Sequence, residues 1–329
     1  MRQSSRLPIL FASAAVALVL CASAQAAPVT VGSPLTGAFK SEGSPGFEFT
    51  AVIPTLGESG AHTVSPVTGA IVRWHLLDAE GGPFRLRVLR PVGGPIYTGV
   101  GSSAPASPAS TGFETFATAL PIQAGDTVGL DIPAGVKLGV YLSGPASSVA
   151  IWKPPLAEGA TRPIDQEEAG GEYGFNAEVQ PTPGITSIGP ASGSIKGGTS
   201  VTITGTDLEG ASAVSFGGVA AKSFGVSSES AITAVTPAGS KVGGVDLSVT
   251  TVAGTTPLVT ADKFTYKGCV VPKLKGKKLK ADRKKLKKAD CKLGTVKGHK
   301  SKSARVKKQN PKPGKVLAPG AKVNVKLGG

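Results

Sequence analysis

Short runs in which apolar and polar residues alternate recur along most of the chain. In the run "FRLRVLR", the side chains of Phe84, Leu86 and Val88 fall on one side, and two arginines lie between them. Such alternation is typical of a strand with one buried face. Similar runs ("AIVRWHLL", "DTVGLDI", "KLGVYLS") are separated by glycine-rich turns such as "EGGP" and "PVGGP". Residues 28–180 are therefore predicted to form a β-sandwich, jelly-roll-like in its arrangement.

A second group of predicted strands covers residues 185–266, after a proline-stiffened linker at 181–184. Val201 and Ile203 alternate with threonines, and Val214 and Phe216 alternate again after a glycine turn. The runs "VDLSVTT" and "KFTY" complete the group. Short strands in a segment of this length predict an immunoglobulin-like sandwich.

Residues 267–329 show a helical period instead. On a helix, Leu279, Asp282, Leu286 and Ala289 form one narrow stripe. A different stripe, facing water, holds four lysines: Lys280, Lys284, Lys287 and Lys288. Short strand patterns follow at 291–296, 304–306 and 322–327. A disordered basic arm has no reason to sort its residues in this way, so the segment is predicted to be a small α+β module. The whole chain is then mainly β with one helix.

The net charge of +15 divides sharply along the sequence. Residues 267–329 hold 22 lysines and arginines against two acidic residues, whereas the other 266 residues carry a net charge of −5. Charge asymmetry of this size concerns partners and solubility rather than fold.

The first residues predict export. Arg2 and Arg6 precede the apolar run "ILFASAAVALVL" and then "CASAQAAP", the order of a secretory signal peptide covering residues 1–26. A lipoprotein anchored at Cys21 is the alternative, but the bulky Leu20 stands where a small residue is expected. The apolar run is too short to span a bilayer. The protein is expected to be secreted or attached non-covalently to the cell wall.

Export leaves Cys269 and Cys291 as the remaining cysteines. Two cysteines of an exported chain within one small unit are expected to form a disulfide, because a thin core needs a covalent staple. Zinc binding is not expected, since only His299 lies nearby as a further ligand. No other metal and no cofactor is expected.

The run "PASGSIKGGTSVTITGTDLEGASAVSFGGVAA" resembles the start of a TIG (IPT) domain, and the resemblance extends over residues 185–266. It implies an Ig-like sandwich of extracellular proteins, with no catalytic residues to assign.

The C-terminal residues resemble a PASTA domain over 269–328. The matching positions are Val271, Pro272, Gly276, Leu279, Val306, Gln309, Pro311, Pro313, Gly314, Leu317, Gly320, Val323 and Val325. The resemblance implies a wall-associated extracellular module, some members of which bind peptidoglycan. Two positions depart from the pattern. Asp282 stands where a small apolar residue is usual, so either the helix turns to expose it or the stem of Arg283 packs there. Asp290 stands where glycine is common.

The lysine stripe is the strongest candidate for function. It is expected to bind anionic cell-wall polymer or peptidoglycan, and the alternative is a solubilising surface, although +20 exceeds what solubility needs. Nucleic acid is not expected as a partner in vivo, because no aromatic residues are interleaved with the lysines.

The ligand of the first unit is not defined by its sequence. Trp74 is predicted to be a core residue, whereas Trp152 at a strand end is a candidate platform for a sugar ring. The histidines His62, His75 and His299 stand in no catalytic motif, so an enzyme is not expected. The alternative is an accessory or hydrolytic protein that acts on wall glycan through the first unit. The oligomeric state is left open.

Overall fold

The structure, a computed structural model, describes residues 28–299, 301 and 303–328. The predicted signal peptide therefore lies outside the described residues. Within them the chain is mainly β, with several antiparallel sheets arranged as sandwiches and one short α-helix near the C-terminus. The predicted fold class is confirmed.

The first unit holds twelve strands in two facing sheets. One sheet has the order β1-β12-β4-β7, and the other has the order β10-β6-β5-β8-β3-β9-β11, with β2 paired to β9. The strands are β1 (Val29–Gly32), β2 (Lys40–Gly43), β3 (Phe49–Thr55), β4 (Gly69–Leu77), β5 (Arg85–Gly93), β6 (Ile96–Ser102), β7 (Phe113–Ile122), β8 (Thr127–Ile132), β9 (Lys137–Trp152), β10 (Thr161–Pro163), β11 (Gln166–Tyr173) and β12 (Phe175–Pro181).

The core of this unit lies between the two sheets, where the alternating apolar side chains meet. Phe84, Leu86 and Val88 are fully buried there, as the alternation predicts. Trp74 is 1% exposed and its ring lies 4.6 Å from that of Phe116, so its prediction as a core residue is confirmed. The outer face of the four-stranded sheet is left for polar side chains.

The second unit is a two-sheet sandwich, and two residues separate its first strand from β12. Its sheets have the orders β13-β15-β19-β18 and β14-β22-β20-β16-β17, with β21 paired to β20. The strands are β13 (Gly184–Gly189), β14 (Ser192–Ser194), β15 (Ser200–Thr206), β16 (Ala213–Phe216), β17 (Val219–Ala220), β18 (Ser223–Ser228), β19 (Ala231–Val235), β20 (Gly243–Thr251), β21 (Gly254–Thr255) and β22 (Lys263–Lys267), and a 3-10 helix covers Thr260–Asp262. Val201, Ile203 and Phe216 lie in the core between the sheets.

The C-terminal unit packs helix α1 (Leu279–Lys288) on a three-stranded sheet of order β24-β27-β25. Its strands are β23 (Cys269–Val270), β24 (Lys292–Lys297), β25 (Arg305–Asn310), β26 (Val316–Leu317) and β27 (Lys322–Gly328), and β23 pairs with β26. β24 runs parallel to β27, and β25 runs antiparallel to it. A folded α+β unit is thus present where the helical period predicts it.

The predicted stripe of α1 does face the core. Leu286 is 1% exposed, and Leu279 and Ala289 are half-buried. Asp282 is also fully buried, and neither of its carboxylate oxygens has a hydrogen-bond partner. Both expectations for this residue are therefore wrong: the helix does not turn Asp282 outward, and Arg283 is exposed rather than packed in its place. The buried face is fixed by Leu286 and its neighbours, and Asp282 shares that face by its spacing.

Helix α1 ends in a Schellman motif. This motif explains why PASTA-like sequences commonly have glycine at the position that Asp290 occupies here. The N–H of Cys291 donates to Leu286 O at 2.8 Å, and the N–H of Asp290 donates to Lys287 O at 3.2 Å. Asp290 has a φ of +53°, the left-handed region that glycine enters without a Cβ penalty. The aspartate therefore holds a strained backbone conformation.

Replacement of Asp290 by glycine is expected to stabilise the C-terminal unit by about 0.5–1 kcal/mol, because the left-handed strain is removed. Hydrogen exchange of the α1 amides in the full chain measures the change. The Asp290→Ala variant is the matched control, since it removes the same charge but keeps a Cβ. Equal stability of the two variants would show that charge, not backbone strain, is responsible.

Candidate functional site

The frame of the C-terminal unit is held by a disulfide bond and by the half-buried side-chain amide of Gln309. Cys269 on β23 and Cys291 after α1 form a disulfide with their Cα atoms 4.7 Å apart, as the sequence predicts. Both cysteines belong to the apolar core of the unit. Gln309 accepts from the Leu274 N–H at 2.8 Å and donates to Pro272 O at 3.0 Å. These contacts fix β25 against the segment that leads into the helix.

A row of three lysines crosses the face of the sheet that points away from α1. Val323, Val325 and Leu327 of β27 face the core, so the alternate residues of that strand face solvent. In register, Lys326 of β27 stands opposite Lys297 of β24 on one side and Lys308 of β25 on the other. We call Lys297, Lys308 and Lys326 the lysine row. All three side chains are exposed.

The lysine row lines an open groove of about 470 Å³. Amide and hydroxyl groups of Thr295, Asn310 and Asn324 line it as well. Asn324 Oδ1 accepts from the Thr295 N–H at 2.8 Å, which holds that side chain across the sheet. A Cβ on Gly294 would lie 2.1 Å from the same oxygen, so any larger residue there would displace the Asn324 side chain. The groove thus combines three cations with fixed polar groups.

The lysines predicted as a polyanion-binding stripe lie on the other side of the unit. Lys280, Lys284, Lys287 and Lys288 are all exposed on α1, whose opposite face packs on the core. The unit therefore presents two basic surfaces, the α1 stripe and the lysine row, separated by the helix and the sheet. The structure does not bring the two sets together.

The described part of the chain contains seven ion pairs, and all of them join residues before position 267. Within residues 267–299, 301 and 303–328, therefore, no lysine is neutralised by an ion pair. Neighbouring strands lie about 4.8 Å apart, so the three backbone positions of the lysine row span about 10 Å, one screening length at 0.1 M salt. Like charges directly opposite one another in a sheet destabilise it. An anion in the groove would relieve that repulsion.

Trp152, the candidate sugar platform, is not accessible. It is 0% exposed and lies on the outer side of the larger sheet of the first unit, beneath the segment after β9. Its ring meets Tyr97 edge-on at 5.3 Å between centroids. A ring without exposed surface cannot stack on a sugar, so the expectation for Trp152 is wrong. Its position at a strand end did not predict that the segment after β9 would fold over the ring.

Two kinds of feature are absent from residues 28–299, 301 and 303–328. No group of three or more histidine, cysteine, aspartate or glutamate side chains lies in a metal-binding arrangement there. No helix of that part of the chain is long and apolar enough to cross a bilayer.

Comparison with protein families identifies two of the three units. The model of the IPT/TIG domain matches residues 183–266, and the model of the PASTA domain matches residues 270–329. The chain therefore contains a TIG/IPT domain followed by a PASTA domain. Both are non-catalytic modules, and together with the disulfide they fit an extracellular protein.

No curated protein matches the chain. Among solved structures, it is similar to the plexin A4 extracellular region (domains 1 to 8), at 17% identity and a TM-score of 0.27. The similarity covers 69% of this chain and 18% of the plexin chain.

Proposed function

We propose that the PASTA domain binds an anionic polymer of the cell envelope, a chain bearing phosphates or carboxylates, and that the lysine row is the principal contact. The observation that carries the proposal is the alignment of Lys297, Lys308 and Lys326 across three strands in an open groove, without ion-pair partners. A linear polyanion laid across the sheet meets all three cations. The α1 stripe adds long-range attraction on the other side.

The surroundings of the row support a polymer of phosphates or carboxylates over nucleic acid. The groove is lined by lysines, amides, a hydroxyl and one valine, and no aromatic side chain lies among its lining residues. Single-stranded nucleic acid is usually held by base stacking on aromatic rings as well as by charge. Amide N–H groups and ammonium groups, in contrast, are the donors that anionic oxygens accept from. An extracellular setting provides envelope polymers as the available polyanions.

The test compares two triple variants that change the net charge equally. Lys297→Gln, Lys308→Gln and Lys326→Gln remove the row, and Lys284→Gln, Lys287→Gln and Lys288→Gln remove part of the α1 stripe. The row variant is expected to bind the polyanion about tenfold more weakly. Each lysine that is lost removes a contact and also the counterions that this contact releases from the polymer. The helix variant is expected to lose about threefold or less, through long-range attraction alone.

Polyphosphate and polygalacturonate are the two probes, with binding measured by anisotropy on the chain from Ala27 onward. Preference for one probe identifies whether phosphate or carboxylate is the better ligand. Equal losses in the two triple variants would show that total charge acts without a groove, and unchanged binding in both would refute the proposal. Amide spectra of the variants check that the sheet is intact.

A further inference from the structure

A second polar pocket lies on the first unit, far in sequence from the lysines and independent of them. It is a cavity of about 370 Å³ on the outer face of the sheet β1-β12-β4-β7, covered on one side by the loop at 58–62. The loop is tied to the sheet, because the Gly32 N–H donates to His62 O at 2.9 Å. Small-molecule sites typically have volumes of roughly 300–1,000 Å³.

The sheet brings the polar side chains of the pocket together by register. Asn176 of β12 stands between Gly32 of β1 and His75 of β4, and Glu178 stands two residues further along β12. Alternation places all of these side chains on the face opposite the core. His75 is 6% exposed, so its ring forms the floor of the cavity.

The hydrogen bonds of Asn176 fix which nitrogen of His75 carries a proton. Asn176 Nδ2 donates to Ser33 O at 2.7 Å, so Oδ1 is the atom that faces the histidine. An amide oxygen only accepts, and therefore His75 Nδ1 donates across their 2.8 Å contact. His75 Nε2 lies 3.7 Å from Glu178 Oε1, which is too far for a direct hydrogen bond. The gap leaves both atoms able to contact a hydroxyl group of a ligand.

The carboxylates leave further acceptors directed to the pocket. Arg73 holds the other oxygen of Glu178, at 2.6 and 2.8 Å, which keeps Oε1 turned toward His75. Glu58 in the covering loop has one oxygen, Oε2, that is shielded from solvent and has no hydrogen-bond partner. The pocket therefore presents carboxylate acceptors to which the O–H groups of a ligand can donate.

One wall of the pocket is an exposed aromatic ring. Phe113 is 60% exposed and stacks on His75, with the ring centroids 4.8 Å apart and the planes 25° apart. Burial in the core does not explain this ring, because most of its surface faces solvent. A ligand with an apolar C–H face and hydroxyl groups at its edge can cover the ring and reach the acceptors together.

We propose that this pocket binds a hydroxyl-rich uncharged ring, a hexose or N-acetylhexosamine unit of a glycan. Phe113 stacks on the C–H face of the sugar. Its hydroxyl groups donate to the Glu58 carboxylate and bridge the gap between His75 Nε2 and Glu178 Oε1.

Saturation-transfer NMR on the chain from Ala27 onward tests the site. The panel contains glucose, galactose, N-acetylglucosamine and their β-linked disaccharides, with ethanolamine as the amine. Saturable binding of at least one sugar is expected. Phe113→Ala and Glu58→Gln are each expected to weaken it about tenfold, through lost stacking and a lost charge-assisted hydrogen bond.

Phe224→Ala is the matched control, because Phe224 is an exposed phenylalanine, 37% accessible, on β18 of the TIG/IPT domain. Its binding is expected to equal that of the unaltered chain. Glu58→Gln removes an unpartnered charge, so the melting temperature of this variant is expected not to fall. Weaker sugar binding by the variant is then due to the lost contact and not to lost folding. Failure of the whole sugar panel, binding of ethanolamine alone, or sugar binding that survives Phe113→Ala would overturn the proposal.

Discussion

Reduction of the Cys269–Cys291 bond is expected to lower the free energy of unfolding of the PASTA domain by about 3 kcal/mol. The bond closes a loop across a sequence separation of 22 residues, and the chain-entropy model gives about this value for a loop of that length. The unit is small and its core is thin, so this is a large share of its stability.

Hydrogen exchange on the full chain, with and without a phosphine reductant, measures the loss in the peptides that cover α1 and β27. Reduction removes no heavy atom from either cysteine, so the comparison isolates the cross-link. The first unit has no cysteine among residues 28–180 and serves as the internal control. Unchanged protection of α1 after complete reduction would contradict the predicted contribution.

Replacement of Asp282 by alanine is expected to stabilise the same domain by about 1–3 kcal/mol at pH 7, because a buried carboxylate without a hydrogen-bond partner is costly. Burial raises the pKa of Asp282, and the positive charges of Lys285 and Lys277 oppose that rise. The carboxylate is thus a defect in an otherwise apolar stripe.

The sign of the pH dependence follows from linkage. An acid whose pKa is higher in the folded than in the unfolded state binds more protons when folded. Its unfavourable effect is absent below the unfolded pKa of about 4 and grows as pH rises through the raised folded pKa. The gain from Asp282→Ala should therefore increase from about pH 4 upward.

Exchange-derived free energies between about pH 4 and pH 8 measure this gain. Asp282→Asn should remove the pH dependence while leaving an unpartnered polar group. Asp290→Ala removes an equal charge at an exposed site and serves as the control for the loss of one negative charge. A stability gain for Asp282→Ala that is the same at every pH would mean that the buried group is not charged.

Local periodicity was sufficient to predict the helix and the strands of the PASTA domain. The spacing of Leu279 and Leu286 defines the buried face of α1, and the alternation in β27 defines the two faces of its sheet. The same spacing placed Asp282 on the buried stripe. Whether Asp282 stays buried depends on the residues that pack around the helix. Those residues come from distant parts of the chain, so a short stretch of sequence does not reveal them.

The lysine row could not be predicted in this way. Lys297, Lys308 and Lys326 lie on three strands, one pairing is parallel, and each pairing contains a register shift. A register shift changes which residues stand opposite one another, so the row exists only once the sheet is formed. The consecutive lysines of α1 were visible because a helix repeats locally.

The pocket of the first unit was hidden for a related reason. His75, Asn176 and Glu58 come from two strands and a loop that are distant in sequence. The sequence favoured Trp152 as a sugar platform, but Trp152 is covered, and Phe113 is the exposed ring at this pocket. Whether a ring is exposed depends on which segment folds over it. The alternation of apolar and polar residues does not specify that segment.

The dependence of polyphosphate binding on salt tests the proposed function most directly. The affinity of the chain from Ala27 onward should fall steeply between about 50 and 500 mM salt, since bound cations are released from the polymer. Removal of the lysine row by the three glutamine substitutions should reduce the slope of log affinity against log salt by about 2–3. A slope that is unchanged in this variant would contradict polyanion binding by the row.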